Sequence, residues 1–539
     1  MQKVKIISAR DAAQLLKDGD VVTVSSSSGL GCPDAVLAGI GQRFEETASP
    51  RDLTTIHPIA AGDMYGILGV DHLARPGLLA QIIAGSFPSG PSNAESPLIW
   101  KMIQDNEIDA YNFPSGVLFQ MHRAAATHQP GVFTTVGVDT FIDPRHEGGR
   151  MNERSPRRHV EWVTVGGEEW MFFKSIAPDV AIIRATTADE FGNLTFEDEG
   201  STLGSLDQAY AAHNNGGIVI AQVKRVALAH SQDPQLVRVP GILVDAVVVA
   251  PDQLQTTMTE NDPTISGRIR RPLTSLPRIE QSLEKVTARR AAQELRAGQI
   301  VNLGFGVSAL VPHVLVEEGL AQEVSWVIEQ GAVGGVPLLD FAFGCAQNPD
   351  ALMQSIDQFT LLQGAGFHKS LLSFLQIDEQ GSVNVHYLAR KRHVTAGVGG
   401  FADITSRAQD IIFMGAFTAG RRDIALSAHG LTINSDGPAV KLVKNVAQIT
   451  FSGPKALERG ATVTYITERC VMRLTQDGLE VTEIAPGVDL EADVLKQSEF
   501  TLLVSPHLKF MDAKLFDVAP IGLVLPPLTY HPRFESAGL

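Results

Sequence analysis

The stretch SARDAAQLLKDGDVVTVS, Ser8 to Ser25, recurs 279 residues downstream as TARRAAQELRAGQIVNLG, Thr287 to Gly304. Identical pairs include Ala9/Ala288, Arg10/Arg289, Gln14/Gln293, Gly19/Gly298 and Val22/Val301, and Pro33/Pro312 agree beyond the copies. A repeat at this spacing makes each copy the opening of one structural unit used twice. Each copy reads as an Ala-rich helix, then a β-prone run (Val21–Val24, Ile300–Leu303), then a small-residue loop and a further helix. Ser8 and Thr287 are the expected N-caps, and Gly19 and Gly298 the expected helix ends. A second echo links DEFGNLTF, Asp189–Phe196, with DEQGSVNV, Asp378–Val385; both are turns feeding a strand. The two echoes lie farther apart in the first half, which therefore carries about ninety extra residues.

Length alone, 539 residues, suggests about three or four domains. The repeat reduces this to two unequal halves. Strand-like runs at Val180–Arg184, Gly217–Gln222, Gly241–Val249, Val324–Ile328 and Ile411–Met414 alternate with helical stretches. That alternation predicts open α/β domains with mostly parallel sheets. The expected boundaries are 1–251 for the first domain, 252–285 for a polar, proline-bearing linker that permits hinge motion, 286–515 for the second domain and 516–539 for a C-terminal extension. Beyond Val504 the chain is proline-rich with little periodicity.

Composition excludes several classes. With 44% apolar and 19% charged residues, the chain is globular rather than disordered. A net charge of −16 gives no bulk attraction for nucleic acid or anionic membrane, so neither is an expected partner. The apolar run near Ile242–Ala250 is far shorter than the roughly 18 residues of a membrane span. Met1–Asp11 lacks the apolar core of a signal peptide. Three cysteines, Cys32, Cys345 and Cys470, without CxxC spacing point away from disulfides and zinc and toward the cytoplasm. His57, His72, His122, His146 and His159 are scattered without metal-ligand spacing, so no metal is expected.

Two motifs carry chemistry. In WVIEQGAVGGVP, Trp326–Pro337, Glu329 follows a short apolar strand and precedes Gly331, Gly334 and Gly335. A carboxylate at the carboxyl end of a strand in an open α/β sheet stands where such folds bind ligands. It can act as a covalent nucleophile, provided nearby N–H groups offset the acidity lost on burial. In HVTAGVGGFADIT, His393–Thr405, the loop Gly397, Val398, Gly399, Gly400 can aim backbone N–H groups at an oxyanion or a phosphate. GFGVSA, Gly304–Ala309, lacks the third glycine of a dinucleotide fingerprint. Arg145–Arg158 holds five arginines that read as a solvated or subunit-contact face.

With these motifs in place the chain resembles the family I coenzyme A transferases, in their single-chain acetate or short-chain acyl-CoA:acetate/3-ketoacid form. The two halves look like the family's alpha-like and beta-like units fused in one chain. Glu329 matches the family's catalytic glutamate and GVGGF its GxGGF loop; GAFTAG, Gly415–Gly420, and Asp477–Leu490 also look like family sequence. The resemblance implies ping-pong transfer of CoA from a short-chain acyl-CoA to a carboxylic acid such as acetate or a 3-oxoacid, through a glutamyl-CoA thioester. It implies Glu329 as nucleophile and Gly397, Gly399, Gly400, Gly334 and Gly335 as oxyanion and CoA-binding positions. It places the acyl pocket at Ser115, Gly116 and Gln120, with Ser115 where many relatives carry Gln. Ser25–Ser27 replace a common Gly-Gly-Phe, while Gly31 and Pro33 are kept. No permanently bound cofactor is implied: CoA is substrate and covalent intermediate, and the assembly is a homo-oligomer, dimer or tetramer. An acyl-CoA hydrolase on the same fold and a non-catalytic CoA-binding subunit are the alternatives.

Overall fold

In the computed structural model, which describes residues 3–89, 96–388 and 397–528, the repeat extends well beyond the two matched segments. The first half builds its core sheet from Ala246–Val249, Ile218–Ala227, Val180–Asp189, Val21–Val24 and Leu53–His57, side by side in that order. The second half lays down Thr462–Ile466, Asp410–Met414, Lys369–Ser373, Ile300–Leu303 and Ser325–Val327 in the same order. Every neighbouring pair in both sets is parallel. Parallel strands are covered on both faces, which explains unbroken buried runs such as Val180–Asp189. The expected α/β architecture of two related halves is therefore the one observed.

The repeated loops agree in detail. Gly19 and Gly298 both have positive φ and both donate their amides across to the neighbouring helix-to-strand connection, to Arg51 and Glu323 carbonyls. Asp189 Oδ1 accepts from the amides two and four residues on, Phe191 and Asn193; Asp378 Oδ1 does the same with Gln380 and Ser382. One aspartate thus shapes the same turn in each half.

Local readings need correction at the helix ends. Ser8 caps its helix with a full capping box to Asp11. Thr287 is not a cap: the second helix runs Leu283–Ala292 from Ser282, and Thr287 bonds back to the Leu283 carbonyl inside it. Both helices end at a glutamine, Gln14 or Gln293, so the glycines serve the following turn rather than the cap. Val504 falls in a regular strand, Leu503–Phe510, parallel to Gly478–Ile484 at a sheet edge. The chain beyond it wraps back over Leu283–Ala292, where the buried Arg289 guanidinium holds the carbonyls of Leu515, Asp517 and Ala519.

The extra chain of the first half lies between Leu53–His57 and Val180–Asp189. It adds two parallel strands, Leu79–Ala84 and Asp109–Asn112, the helix Ser115–Ala126 and a three-stranded antiparallel sheet. Helix Ser115–Ala126 packs on Ser355–Gln363 of the second half, with Phe119 and Phe359 rings 5.7 Å apart. The segment read as a hinge-permitting linker is pinned instead. Ile265 is buried with Leu30 and Cys345, and Arg271 and Asn348 exchange two hydrogen bonds. Beneath it, Arg184 and Glu199 form a buried ion pair at 2.7 Å. Replacing Arg184 by Ala strands the Glu199 charge, and we expect a loss of about 3–5 kcal/mol, read as a lowered thermal midpoint.

Candidate functional site

Glu329 sits two residues past the strand Ser325–Val327. Gly331, at φ +124, returns its amide to Ile328, and the chain turns back as Ala332–Val333 against the same strand. A side chain at Gly331 would meet the Met353 carbonyl at 2.1 Å, so this tight reversal requires glycine. Glu329 and Gln330 form the hairpin tip. The tip is held by its own backbone: the Gln330 carbonyl accepts from Ser355 Oγ at 3.1 Å and from Ser201 Oγ of the first half.

Around the Glu329 carboxylate the donors are few and specific. Gln330 Nε2 stands 3.2 Å from Glu329 Oε1 and also 3.2 Å from Ser27 Oγ. The Gly400 amide donates to the carboxylate. Desolvation outweighs both donors and pushes the pKa of Glu329 up to about 7. The group is partly exposed, at the wall of a cavity of about 330 Å³. Ser27, Ile59 and Ser86 of the first half and Gly304, Phe305 and Phe374 of the second face that cavity with it. A second cleft, about 440 Å³, opens elsewhere and contains neither Glu329 nor the glycine loop.

The first half holds the glycine loop in place. Asn112 is fully buried; its Oδ1 accepts from the Val398 amide at 2.9 Å and its Nδ2 donates to the carbonyls of Ala84 and Gly85. The Gly399 carbonyl accepts from the Ser115 amide at 2.9 Å. Asn112→Ala would leave the Val398 amide unpaired, while the Ala84 and Gly85 carbonyls keep the Phe113 and Gly399 amides as donors. We expect it to cost about 1–3 kcal/mol and to lower turnover, measured by thermal unfolding and steady-state kinetics.

Residues 6–250 match the sequence profile of the family described as Coenzyme A transferase. Acetate CoA-transferase YdiF of Escherichia coli K12 is 39% identical over 529 residues, covering 97% of both chains. The chain belongs to the coenzyme A transferase family. It is a CoA-transferase enzyme with CoA as substrate. Caffeate CoA-transferase of Acetobacterium woodii is also 39% identical, over 96% of this chain and 98% of its own. The crystal structure of acyl-CoA transferase (YdiF) from E. coli O157:H7 in a thioester complex with CoA superposes with a TM-score of 0.89, at 38% identity and 98% coverage of both chains.

The site residues expected of this CoA-transferase distribute unevenly. Glu329, Gly397, Gly399 and Gly400 share the cavity. Among them the Gly399 amide is already committed to the Gly85 carbonyl at 2.7 Å, so Gly399 shapes the loop and offers no free N–H. Gly334 and Gly335 lie outside the cavity lining, in a tight turn against Asp350 and the Gln347 carbonyl where side chains would clash. Ser115, Gly116 and Gln120 do not line the cavity either. Ser115 is buried against Gly85, Gly116 donates its amide to Asp403, and Gln120 bonds Gln363. The arginines of 145–158 face acidic or carbonyl partners: Arg145 pairs with Asp143, and Arg154 and Arg158 with Asp109.

Sequence reasoning assigned no role to Gln330, Asn112 or Asp403, and marked Ser27 only as part of Ser25–Ser27 in place of Gly-Gly-Phe. Gln330 adjoins Glu329 and Asp403 follows the GVGGF loop by two residues, so proximity to the motifs was the available signal. Nothing marks Asn112 before the halves are brought together. Among the described residues, no cluster of three His, Cys, Asp or Glu side chains forms a metal site, and no helix is long and apolar enough to cross a membrane.

Proposed function

We propose that the enzyme moves CoA from a short-chain acyl-CoA to a second carboxylic acid, acetate or a 3-oxoacid, through a covalent glutamyl-CoA intermediate. The observation that carries this reading is the Glu329 carboxylate on the cavity wall, in contact with two N–H donors and otherwise desolvated. Glu329 attacks the acyl-CoA carbonyl, and the CoA thiolate leaves a mixed anhydride. The thiolate then attacks the glutamyl carbonyl and expels the first acid as its carboxylate. A second carboxylate reverses both steps. One thioester replaces another, so no energy-rich cofactor enters.

A pKa near 7 suits this role. The carboxylate is ionised in a large fraction at neutral pH, yet desolvation leaves it more reactive than a solvated one. The Gly400 amide is the donor placed to follow the developing charge, and such donors contribute about 3–4 kcal/mol. Ser115, Gly116 and Gln120 act on the acyl group, in this reading, through the loop they brace. The printed names of the relatives, acetate and caffeate CoA-transferase, support a carboxylic acid acceptor, and the YdiF thioester complex supports the covalent step.

Incubation with acetyl-CoA, acid quenching and peptide mass spectrometry should find CoA linked at Glu329. An acyl-CoA by carboxylate activity matrix then identifies the acids. Free CoA released without any acceptor would replace this reading with a hydrolase. CoA binding without adduct or turnover across the matrix would make the protein a non-catalytic subunit.

A further inference from the structure

A second buried carboxyl, Asp403, stands behind the glycine loop. It is fully buried on the short helix Phe401–Thr405, whose N-cap is Gly400. Its Oδ2 accepts from the Gly116 amide at 3.0 Å and its Oδ1 from Gln363 Nε2 at 2.7 Å. Gln363 Oε1 accepts in turn from Gln120 Nε2 at 2.7 Å, and Gln120 reaches partial exposure. Glu329 and Asp403 lie about one phenyl ring. A Cβ placed on Gly400 would touch Glu329 Oε2 at 2.0 Å and Phe359 Cε1 at 2.8 Å; one on Gly116 would touch Asp403 Oδ1 at 2.6 Å and Phe359 Cδ1 at 2.8 Å. The two carboxyls thus pack near neighbouring edge atoms of the one Phe359 ring, with the Gln363 amide beside Asp403, in a medium of low polarity.

Other charges near Asp403 are already paired or neutral. On helix Ser115–Ala126, Arg123 is bonded to Asp207 and lies near Asp357, and His122 is kept neutral by burial. From the opposite side, Arg459 donates to the Thr405 and Ala408 carbonyls, and Lys455 pairs with Glu458. Glu329 is the charge that bears on Asp403.

The amide chain suits a carboxyl with two protonation states. With Asp403 ionised, Gln363 and Gln120 donate toward it. With Asp403 protonated, both amides rotate half a turn, Oε1 and Nε2 exchange places, and the hydrogen bonds run the other way with the rest of each side chain in place. The Gly116 amide bonds the other oxygen in either state.

We propose that Asp403 is a positioning residue coupled to the nucleophile: it holds a proton while Glu329 is a free carboxylate and releases it when Glu329 becomes a thioester. This rests on the covalent reading above. The chemistry itself balances without that proton: the Glu329 carboxylate becomes a neutral thioester while the acyl group departs as a carboxylate. The Asp403 proton passes to bulk water and returns in the second half-reaction. The loop anchor thus changes charge once per half-reaction, and Asp403 keeps like charge off Glu329 before attack. Burial together with the Glu329 charge raises Asp403 to about 7, in accord with this role.

Coupling between two titrating groups is reciprocal. In enzyme labelled with [4-13C]aspartate, one aspartate signal should titrate near neutral pH. On thioester formation with acetyl-CoA, and in Glu329→Gln, that signal should titrate at least about one pH unit lower. In Asp403→Asn the signal should vanish, while the acid limb of the thioester-formation rate, set by Glu329 ionising beside a neutral Asp403, should stay within about half a pH unit of wild type. A thioester that forms while the signal keeps its titration overturns the pairing, as does an acid limb that moves down by about one unit in a folded Asp403→Asn. Absence of any thioester in wild type overturns the covalent reading instead. The wild-type titration stands even where Asp403→Asn does not fold.

Discussion

Glu329→Gln is expected to abolish the CoA adduct and lower turnover roughly ten-thousand-fold or more, with the fold intact. Borohydride treatment after acyl-CoA, which should inactivate wild type by reducing the thioester, should then have no target. Glutamine keeps the volume and one acceptor for the Gly400 amide. Its new N–H₂ faces Gln330, whose Oε1 is buried without a partner and is free to turn toward it. The variant should also be the more stable protein above neutral pH. Burial raises the pKa of Glu329 in the folded state, so the native chain holds that proton more tightly than the unfolded one. Wild type therefore loses stability as pH rises from about 4.5 toward 7, and glutamine does not. The difference should grow to about 1–3 kcal/mol above pH 7 and shrink near pH 5, as read from thermal midpoints across pH. A wild type equally stable to the variant at every pH would show that Glu329 is solvated. Retained transfer by the variant would remove Glu329 from the chemistry.

The repeat made the fold legible because it samples what is local: a capped helix, a glycine turn, a β-prone run. Each half needs those pieces to start its sheet, so they stayed similar in sequence. Five parallel strands in matched order then follow from units of the same kind. Helix ends were less legible. Thr287 has the chemistry of a cap, but Ser282 has it too, and packing of Lys285 against Glu317 extends the helix one turn further back. The linker read as loose because it is polar; Gln255 instead bonds the Asp198 carbonyl of the first half and the Arg271 backbone bonds Asn348 of the second.

The site divides along the same line. Glu329 and the glycine loop each announce themselves within a dozen residues. Asn112, Ser27 and Gln363 act only because a helix and a strand end of one half meet a loop of the other. Contacts 286 or 303 residues apart, such as Asn112 with Val398 and Ser27 with Gln330, leave no pattern in a linear reading. Gly399 and Gly400 look alike in sequence, yet one amide is bound to Gly85 and the other meets the nucleophile.

That difference sets the expected result for two alanine variants. Gly400 has φ −86 and ψ 1, a backbone that alanine adopts without strain. The added methyl would nevertheless stand 2.0 Å from Glu329 Oε2 and 2.8–3.0 Å from the Phe359 ring. Phe359 is buried against Phe119 and cannot retreat. Glu329 must therefore swing off the Gly400 amide, losing both its aim and its donor. Turnover should fall by about 10²–10³, the usual effect of losing one such donor, and the clash with the fixed ring should lower stability by about 1–3 kcal/mol, read from the thermal midpoint. Gly399 presents the opposite case. Its nearest neighbour to an added methyl is Glu329 Oε1 at 3.8 Å, so there is room, but its φ is +52. Alanine there costs about 1–2 kcal/mol of backbone strain, which should appear in stability more than in turnover. Equal loss of turnover in the two variants would mean that the loop acts through its shape alone and that the Gly400 amide has no separate part in the reaction.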